Sequence, residues 1–247
     1  MSSIPLQARS TTEIVDAAIQ IYRRDATRYM LLAAIAYTPL VAFQFVFFGT
    51  ASPSFASWTG GIAYLLTVAG FGLMSAALAR MAAGAIMGET VDVDQTIREV
   101  LPRVPAVIGS TLVKYVMFLI GLVLLVVPGL YVVTRYFATT QAVVLEQKGV
   151  VAAFSRSSVL SNGIKRHVFN TLMLMWIIYF VVSFAATMLA MVGGTMVVTI
   201  VSALVTIVAY PVVAIGEVVL YYDTRIRQEG YDIEVMAGSV DRAAAAV

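Results

Sequence analysis

Six long apolar runs, separated by short charged segments, are the feature that most constrains this chain. A helix of about 20 residues, at about 1.5 Å per residue, crosses roughly 30 Å of hydrocarbon. The chain is 60% hydrophobic and only 12% charged, whereas an average soluble domain is about 25% charged. The sequence therefore predicts an all-α, polytopic membrane protein with six transmembrane helices, at about 29–49, 60–80, 105–127, 130–147, 168–192 and 195–220.

The loop charges predict which side of the membrane each connection occupies. Basic residues flank the spans on one side, whereas the connections ASPSFASWTG, PG and VGG carry no charge. Because Lys and Arg are enriched in cytoplasmic loops, we expect both termini to be cytoplasmic and the protein to lie in the bacterial inner (cytoplasmic) membrane. The residues expected at the cytoplasmic interface and its anionic lipid headgroups are Arg23, Arg24, Arg28, Arg103, Lys165, Arg166, Tyr221, Tyr222, Arg225 and Arg227.

Three cytoplasmic segments carry apolar residues at helical spacing. Thr11 or Thr12 is the expected N-cap of the first and Asp92 that of the second. Such amphipathic helices lie in the headgroup layer, where they either support the bundle or dock a lipid or a partner. Each precedes two spans, so we predict a threefold repeat of surface helix, span and span within a single membrane domain, 1–247. The surface helices are placed at 11–25, 92–103 and 150–162, and a cytoplasmic tail at 223–247.

Four ionisable residues fall within or close to the apolar runs: Lys114, Arg135, Glu146 and Glu217. Charges at such depth are costly and therefore mark functional candidates. Glu146 and Glu217 lie near the predicted cytoplasmic edge, where basic residues can pair with them. Lys114 is deeper and should face the bundle interior, with Glu217 or Tyr115 as possible partners. Lys114 and Arg135 come from adjacent spans, so an anionic ligand site between them is a second possibility.

Other classes of site find little support in the sequence. The chain has no cysteine and a single histidine, His167, and no catalytic, cofactor or metal motif is present. The net charge of +2 gives no reason to expect nucleic acid as a partner. We therefore predict a protein that is not an enzyme and needs no cofactor.

Three stretches resemble a bacterial six-span family related to the membrane domain of glycerophosphoryl diester phosphodiesterases. They are LYYDTRIRQEGYDIE at the last span, TTEIVDAAIQIYRRD near the N-terminus, and the central segment 128–163. The resemblance implies a six-span bundle with helices on its cytoplasmic side, and no catalysis, because in those enzymes a separate soluble barrel does that work. The matching residues are Pro128, Gly129, Arg135, Glu146, Arg156, Ser157, Tyr222, Asp223, Arg225, Gly230 and Tyr231.

Three functions are open at this point. The first is a structural or accessory subunit that packs against a larger membrane assembly, such as a photosynthetic or respiratory complex. The second is a lipid or small-solute transporter that uses the polar third and fourth spans, which predicts that Lys114 and Arg135 line a shared cavity. The third is an enzyme of phospholipid metabolism, which would need two or more carboxylates to converge at the cytoplasmic edge, such as Glu146 and Glu217 beside Asp223.

Overall fold

The computed structural model of the chain describes residues 7–48, 58–89 and 92–233, and every regular element in these ranges is helical. The all-α class is therefore confirmed for this part of the chain. Short 3-10 turns join two pairs of helices, at Leu101–Arg103 and Met191–Gly193. The α-helices are α1 (Thr11–Arg24), α2 (Ala26–Phe48), α3 (Trp58–Met87), α4 (Val93–Val100), α5 (Val104–Leu124), α6 (Val126–Arg135), α7 (Thr139–Leu145), α8 (Val150–Leu160), α9 (Lys165–Ala190) and α10 (Gly194–Glu229).

Four helical stretches are long and apolar enough to cross a bilayer. They are Ala26–Phe43, Trp58–Met87, Val93–Leu124 and Lys165–Glu229. The last combines α9 and α10, which pack against each other. The structure thus supports a membrane protein. Most of the predicted loop at 51–60 and the tail beyond residue 233 lie outside the described residues.

Two helices extend well past the predicted membrane edge. Helix α3 continues beyond residue 80 to Met87, so Arg80 lies in the helix and not in a connection. Helix α10 continues to Glu229, so the predicted tail begins inside it. Both helices end at a glycine with a left-handed backbone, Gly88 (φ 80°) and Gly230 (φ 66°). A change in polarity does not end a helix, whereas a residue that adopts this conformation does.

Helix α1 starts with a capping box. Its N-cap is Ser10, one residue before the predicted Thr11, and Ser10 exchanges hydrogen bonds with Glu13. These bonds lower the pKa of the Glu13 carboxyl. The apolar face of the helix packs on α9 and α10, which bury Ile14 and Ala18 completely. The first predicted surface helix is therefore covered by protein on its apolar side.

Helices α5 and α6 form a tight hairpin that reverses at a single extended residue, Leu125 (φ −170°, ψ 150°). The predicted turn residues Pro128 and Gly129 lie inside the first turn of α6 instead. Proline is tolerated there because the first N–H groups of a helix have no partner within the helix. Gly121 faces Gly129 so closely that a Cβ on Gly121 would lie 2.8 Å from the Gly129 nitrogen.

The predicted fourth span, 130–147, is not a continuous helix. A turn at residues 136–138 separates α6 from α7. Ser157 of α8 bonds both sides of this break: its hydroxyl donates to the Arg135 carbonyl (3.1 Å) and accepts from the Ala138 N–H (3.0 Å). Interrupted helices are tolerated at membrane depth only where protein groups satisfy the freed backbone. The third predicted surface helix thus has a structural role that its sequence pattern does not reveal.

The densest packing lies toward one end of the bundle. Buried residues concentrate in the second half of α3, in α7 and in the second half of α10. The first half of α3 and the end of α5 are mostly half-exposed or exposed. Small residues in α3, including Ala76 and Ala79, allow the close approach of helices at the packed end.

Candidate functional site

A cavity of about 620 Å³ lies between the helices and is the strongest candidate for a functional site. A ring of packed helices surrounds it: α3 contacts α5, α5 contacts α6, α6 contacts α9, α9 contacts α10, and α10 contacts α3. Thr140 of α7 also reaches it. The volume falls within the range of about 300–1,000 Å³ that is typical of small-molecule sites.

Most of the cavity lining is apolar, and four of its rings form an aromatic wall (Phe71, Trp176, Tyr179 and Tyr210). Phe71 meets Tyr210 edge to face, with ring centroids 5.5 Å apart. Tyr179 contacts Tyr210 at 6.0 Å and Trp176 at 5.7 Å, also edge to face. Such geometry favours fixed ring orientations, so this wall has a defined shape.

Lys114 of α5 and Glu217 of α10 both line the cavity. The two side chains lie close enough to interact electrostatically. They form no direct ion pair with one another or with any other side chain in the described ranges. Intramembrane charges usually occur as closed pairs or at functional sites. A lysine and a glutamate that share a cavity without pairing therefore define the candidate site.

Helical periodicity explains why these residues face the cavity. Thr111, Lys114 and Phe118 are spaced three and four residues apart, so they lie on one face of α5. Tyr210 and Glu217 are seven residues apart and share a face of α10. This spacing is readable in the sequence, although it does not identify which helix faces which.

Glycine and hydroxyl residues shape the packing beside Lys114. Gly72 of α3 lies so close to α5 that a Cβ at this position would be 2.4 Å from the Thr111 Oγ1. Ser75 lines the cavity one turn further along α3. Larger residues at these positions would push α3 and α5 apart or fill the cavity.

Two polar side chains near the cavity, Thr111 and Gln141, have buried atoms without a hydrogen-bond partner in the described part of the chain. Among the described residues, neither the Thr111 Oγ1 nor the amide atoms of Gln141 have a hydrogen-bond partner. The Gln141 amide lies next to the Glu217 carboxylate, but not in the geometry of a well-aligned hydrogen bond. Buried polar groups in proteins are nearly always paired, so these atoms are exceptions. They are not accessible to solvent, and Gln141 is not part of the cavity lining.

Arg135 does not line this cavity, so the predicted shared cavity of Lys114 and Arg135 is wrong. The residues of this segment that line the cavity include Val133, Thr134 and Phe137. The Arg135 side chain instead contacts Tyr131 and Tyr136. Its Nη1 donates to the Tyr131 hydroxyl (2.9 Å), and its guanidinium lies 5.6 Å from the centre of the Tyr136 ring.

Glu146 belongs to a separate cluster of charges in which Arg156 is the centre. The Arg156 Nε donates to the Glu146 Oε1 (2.7 Å), and its Nη atoms donate to Glu229. These hydrogen bonds raise the pKa of the Arg156 guanidinium. Tyr221 donates to the Glu146 Oε1 (2.6 Å), and Arg225 pairs with Glu229 (3.0 Å). The cluster ties α8 and α10 to the segment after α7.

The carboxylates named for the enzyme hypothesis do not meet at one place. Glu146 lies in the Arg156 cluster, where the second carboxylate is Glu229, and Glu217 lies at the cavity. Asp223 accepts hydrogen bonds from the Arg9 N–H (2.7 Å), His167 (2.9 Å) and Arg227 (2.8 Å). Glu146, Glu217 and Asp223 thus face different neighbours.

The predicted interface residues divide into exposed and buried groups. Tyr221 and Tyr222 are buried within the protein, so their assignment to the lipid headgroup interface is wrong. Arg225 lies against the Tyr231 ring at 3.7 Å, and Lys165 lies 5.3 Å from the centre of the Tyr131 ring. Arg103 donates to the Gln147 carbonyl and is half-buried. Among the predicted interface residues, the exposed ones are Arg23, Arg24, Arg28, Arg166 and Arg227.

Sequence reasoning missed the aromatic wall and the role of Ser157. The aromatic residues lie far apart in the chain, and only the packing of α3, α9 and α10 brings them together. In the described ranges, no cluster of three or more His, Asp or Glu side chains is positioned to hold a metal ion. The chain matches no protein-family model, no curated protein and no solved structure. The resemblance to the phosphodiesterase membrane domain therefore stays a prediction.

Proposed function

We propose that this chain is a membrane protein that binds an amphipathic, lipid-class ligand in the cavity between its helices and carries or presents that ligand. The observation behind the proposal is that Lys114 and Glu217 line one cavity with an aromatic wall and form no direct ion pair in the described structure. The apolar lining suits a hydrocarbon or aromatic portion of a ligand, and the two charges suit its polar group. This proposal develops the transporter hypothesis. The residue that shares the cavity with Lys114 is Glu217, and not Arg135 as the sequence predicted.

The proposal includes a topology of six spans. The candidate stretch Lys165–Glu229 has 65 residues, and as one straight helix it would be roughly 100 Å long, about three times the hydrocarbon thickness. A reversal at Met191–Gly193 would make it two spans. The α5–α6 hairpin would likewise return the chain across the membrane through α6 and α7.

The element order is compatible with a threefold repeat. Each of α1, α4 and α8 precedes two longer helical segments, with α6 and α7 together forming one of them. We propose that the three short helices and both termini lie on the cytoplasmic side of a bacterial inner membrane. The exposed arginines Arg23, Arg24, Arg28 and Arg166 would then face anionic headgroups.

The accessory-subunit hypothesis stays open as a competing proposal. Its test is purification of the tagged full-length protein in mild detergent, followed by native gel analysis and mass spectrometry. Co-purification of a stoichiometric set of membrane-complex subunits would support it. Phospholipid-metabolism chemistry is the weaker alternative, since Glu146, Glu217 and Asp223 lie apart. The two carboxylates that do meet, Glu146 and Glu229, are both bonded to the Arg156 guanidinium.

The same preparation tests ligand binding. We expect the purified protein to retain lipid-class molecules at a fixed ratio, measured by mass spectrometry of organic extracts. Val68→Trp should lower this ratio, because Val68 lines the cavity and a tryptophan there fills it. Leu65→Trp, at an exposed position on the same helix, is the matched control and should retain the ligand. Equal retention by both variants would refute the proposal.

A further inference from the structure

The charges at the cavity limit the ligands that fit it. Lys114 and Glu217 together have a net charge of zero when both are ionised, and they face the same cavity. An anionic ligand would add an uncompensated negative charge to a site within the apolar bundle, which is unfavourable. A ligand with no net charge that still carries one positive and one negative group would leave both protein charges compensated.

Lys114 and Glu217 have different neighbours at the cavity. Lys114 lines it from α5, together with Thr111 and Phe118 on the same face of the helix. An ammonium group is a charge-assisted hydrogen-bond donor suited to a phosphate oxygen. Lys114 therefore favours the negative group of a ligand.

Glu217 lines the same cavity as the aromatic wall. It acts electrostatically on Tyr210, which belongs to that wall. Tyr210 contacts Phe71 and Tyr179, and its ring centroid lies 6.2 Å from that of Trp176. Aromatic faces attract ammonium and quaternary ammonium groups through cation–π interactions, and a carboxylate adds direct charge compensation. Glu217 and the aromatic wall therefore favour the positive group.

We infer that the cavity takes the headgroup of a zwitterionic phospholipid. Its phosphodiester faces Lys114, and its ammonium group faces Glu217 and the aromatic wall. Phosphatidylethanolamine and phosphatidylcholine share this chemistry. The inference rests on the proposed function, because it specifies the ligand of the same cavity.

The test uses the purified full-length protein, stripped of lipid by detergent exchange. Its thermal unfolding is measured with four added lipids of identical acyl chains: phosphatidylethanolamine, phosphatidylcholine, phosphatidylglycerol and diacylglycerol. A ligand that binds the folded state raises the unfolding temperature. We expect phosphatidylethanolamine, phosphatidylcholine or both to raise the unfolding temperature more than phosphatidylglycerol and diacylglycerol do. Comparison of phosphatidylethanolamine with phosphatidylcholine then shows which headgroup is preferred.

Charge variants test the assigned orientation. Glu217→Gln removes the partner of the ammonium group and should shift preference toward phosphatidylglycerol by about tenfold in relative affinity. Lys114→Met should weaken all three phospholipids relative to diacylglycerol. The controls are Glu89→Gln, at an exposed glutamate, and Lys148→Met, outside the cavity, and both should keep the preference of the unmodified protein.

The outcomes separate this inference from the function on which it rests. A wild-type preference for phosphatidylglycerol or diacylglycerol would overturn the headgroup assignment and leave lipid binding in place. Equal effects of all four lipids would also overturn it. No stabilisation by any of them, together with equal ligand retention by Val68→Trp and Leu65→Trp, would overturn both. The wild-type series decides the question even where a charge variant fails to fold.

Discussion

At the residue scale, Arg156 is the clearest case of one side chain holding distant parts of the chain together. It bonds Glu146, just after α7, and Glu229, at the end of α10, and its side chain is largely buried. The next residue, Ser157, bonds the break between α6 and α7. The Arg-Ser pair thus joins the interrupted helix to the end of α10.

Replacement of Arg156 tests this role. Arg156→Gln would leave Glu146 and Glu229 without their shared cation, and we expect a loss of about 2 kcal/mol in the free energy of unfolding. Arg98→Gln removes an exposed ion pair with Asp94 and should cost at most about 1 kcal/mol. Denaturant unfolding in detergent would compare the two variants, and equal losses would contradict the role assigned to Arg156.

At the element scale, the α5–α6 hairpin shows how backbone contact can set helix packing. Gly121 and Gly129 allow the two helices to approach directly after the reversal at Leu125. The neighbouring residues from Leu122 to Val127 are exposed, so few side chains fasten this end of the hairpin. The close backbone contact is therefore a main source of order there.

A methyl group at Gly121 should disturb this contact. Because its Cβ would lie within 3.0 Å of three backbone atoms of residues 128 and 129, the helices must separate, at a cost of about 1–3 kcal/mol. Gly61→Ala is the control: nothing lies within 4 Å of its Cβ, and the change should be neutral or stabilising by helix propensity. Thermal unfolding of both variants measures the difference, and an unchanged midpoint for Gly121→Ala would refute the packing argument.

At the scale of the whole molecule, the number of membrane crossings determines where the cavity opens. The four candidate stretches become six crossings if α9 and α10 cross separately and α6 and α7 together complete the return from α5. The cavity lies within this arrangement, so its access from lipid or water depends on the crossing pattern.

Single-cysteine labelling tests the six-span topology directly, because the natural chain has no cysteine. A membrane-impermeant maleimide applied to the outer face of the inner membrane should label cysteines placed at Val127 and Val192, both of which are exposed. It should not label cysteines at Thr12, Gln95 or Asn162, which are also exposed. Labelling in detergent shows whether each introduced cysteine can react. If the cysteines at positions 12 and 192 are labelled from the same side of the membrane, the proposed topology is ruled out.

The local properties of the sequence determined the helical class and the membrane character. Apolar run length and helical periodicity act within one segment, so they are readable without knowing its neighbours. Helix ends were predicted less well, because α3 and α10 continue to the next left-handed glycine instead of ending where the polarity changes. The break between α6 and α7 was missed because a serine from another helix stabilises it.

Only the tertiary structure decided which polar residues share a site. The sequence marked Lys114, Arg135, Glu146 and Glu217 as unusual, because a charge in an apolar run is a local anomaly. Packing placed Lys114 and Glu217 at one cavity, Glu146 with Arg156, and Arg135 with Tyr131. Periodicity assigns each residue to a helix face, but the partner of that face depends on contacts between helices that are distant in the chain.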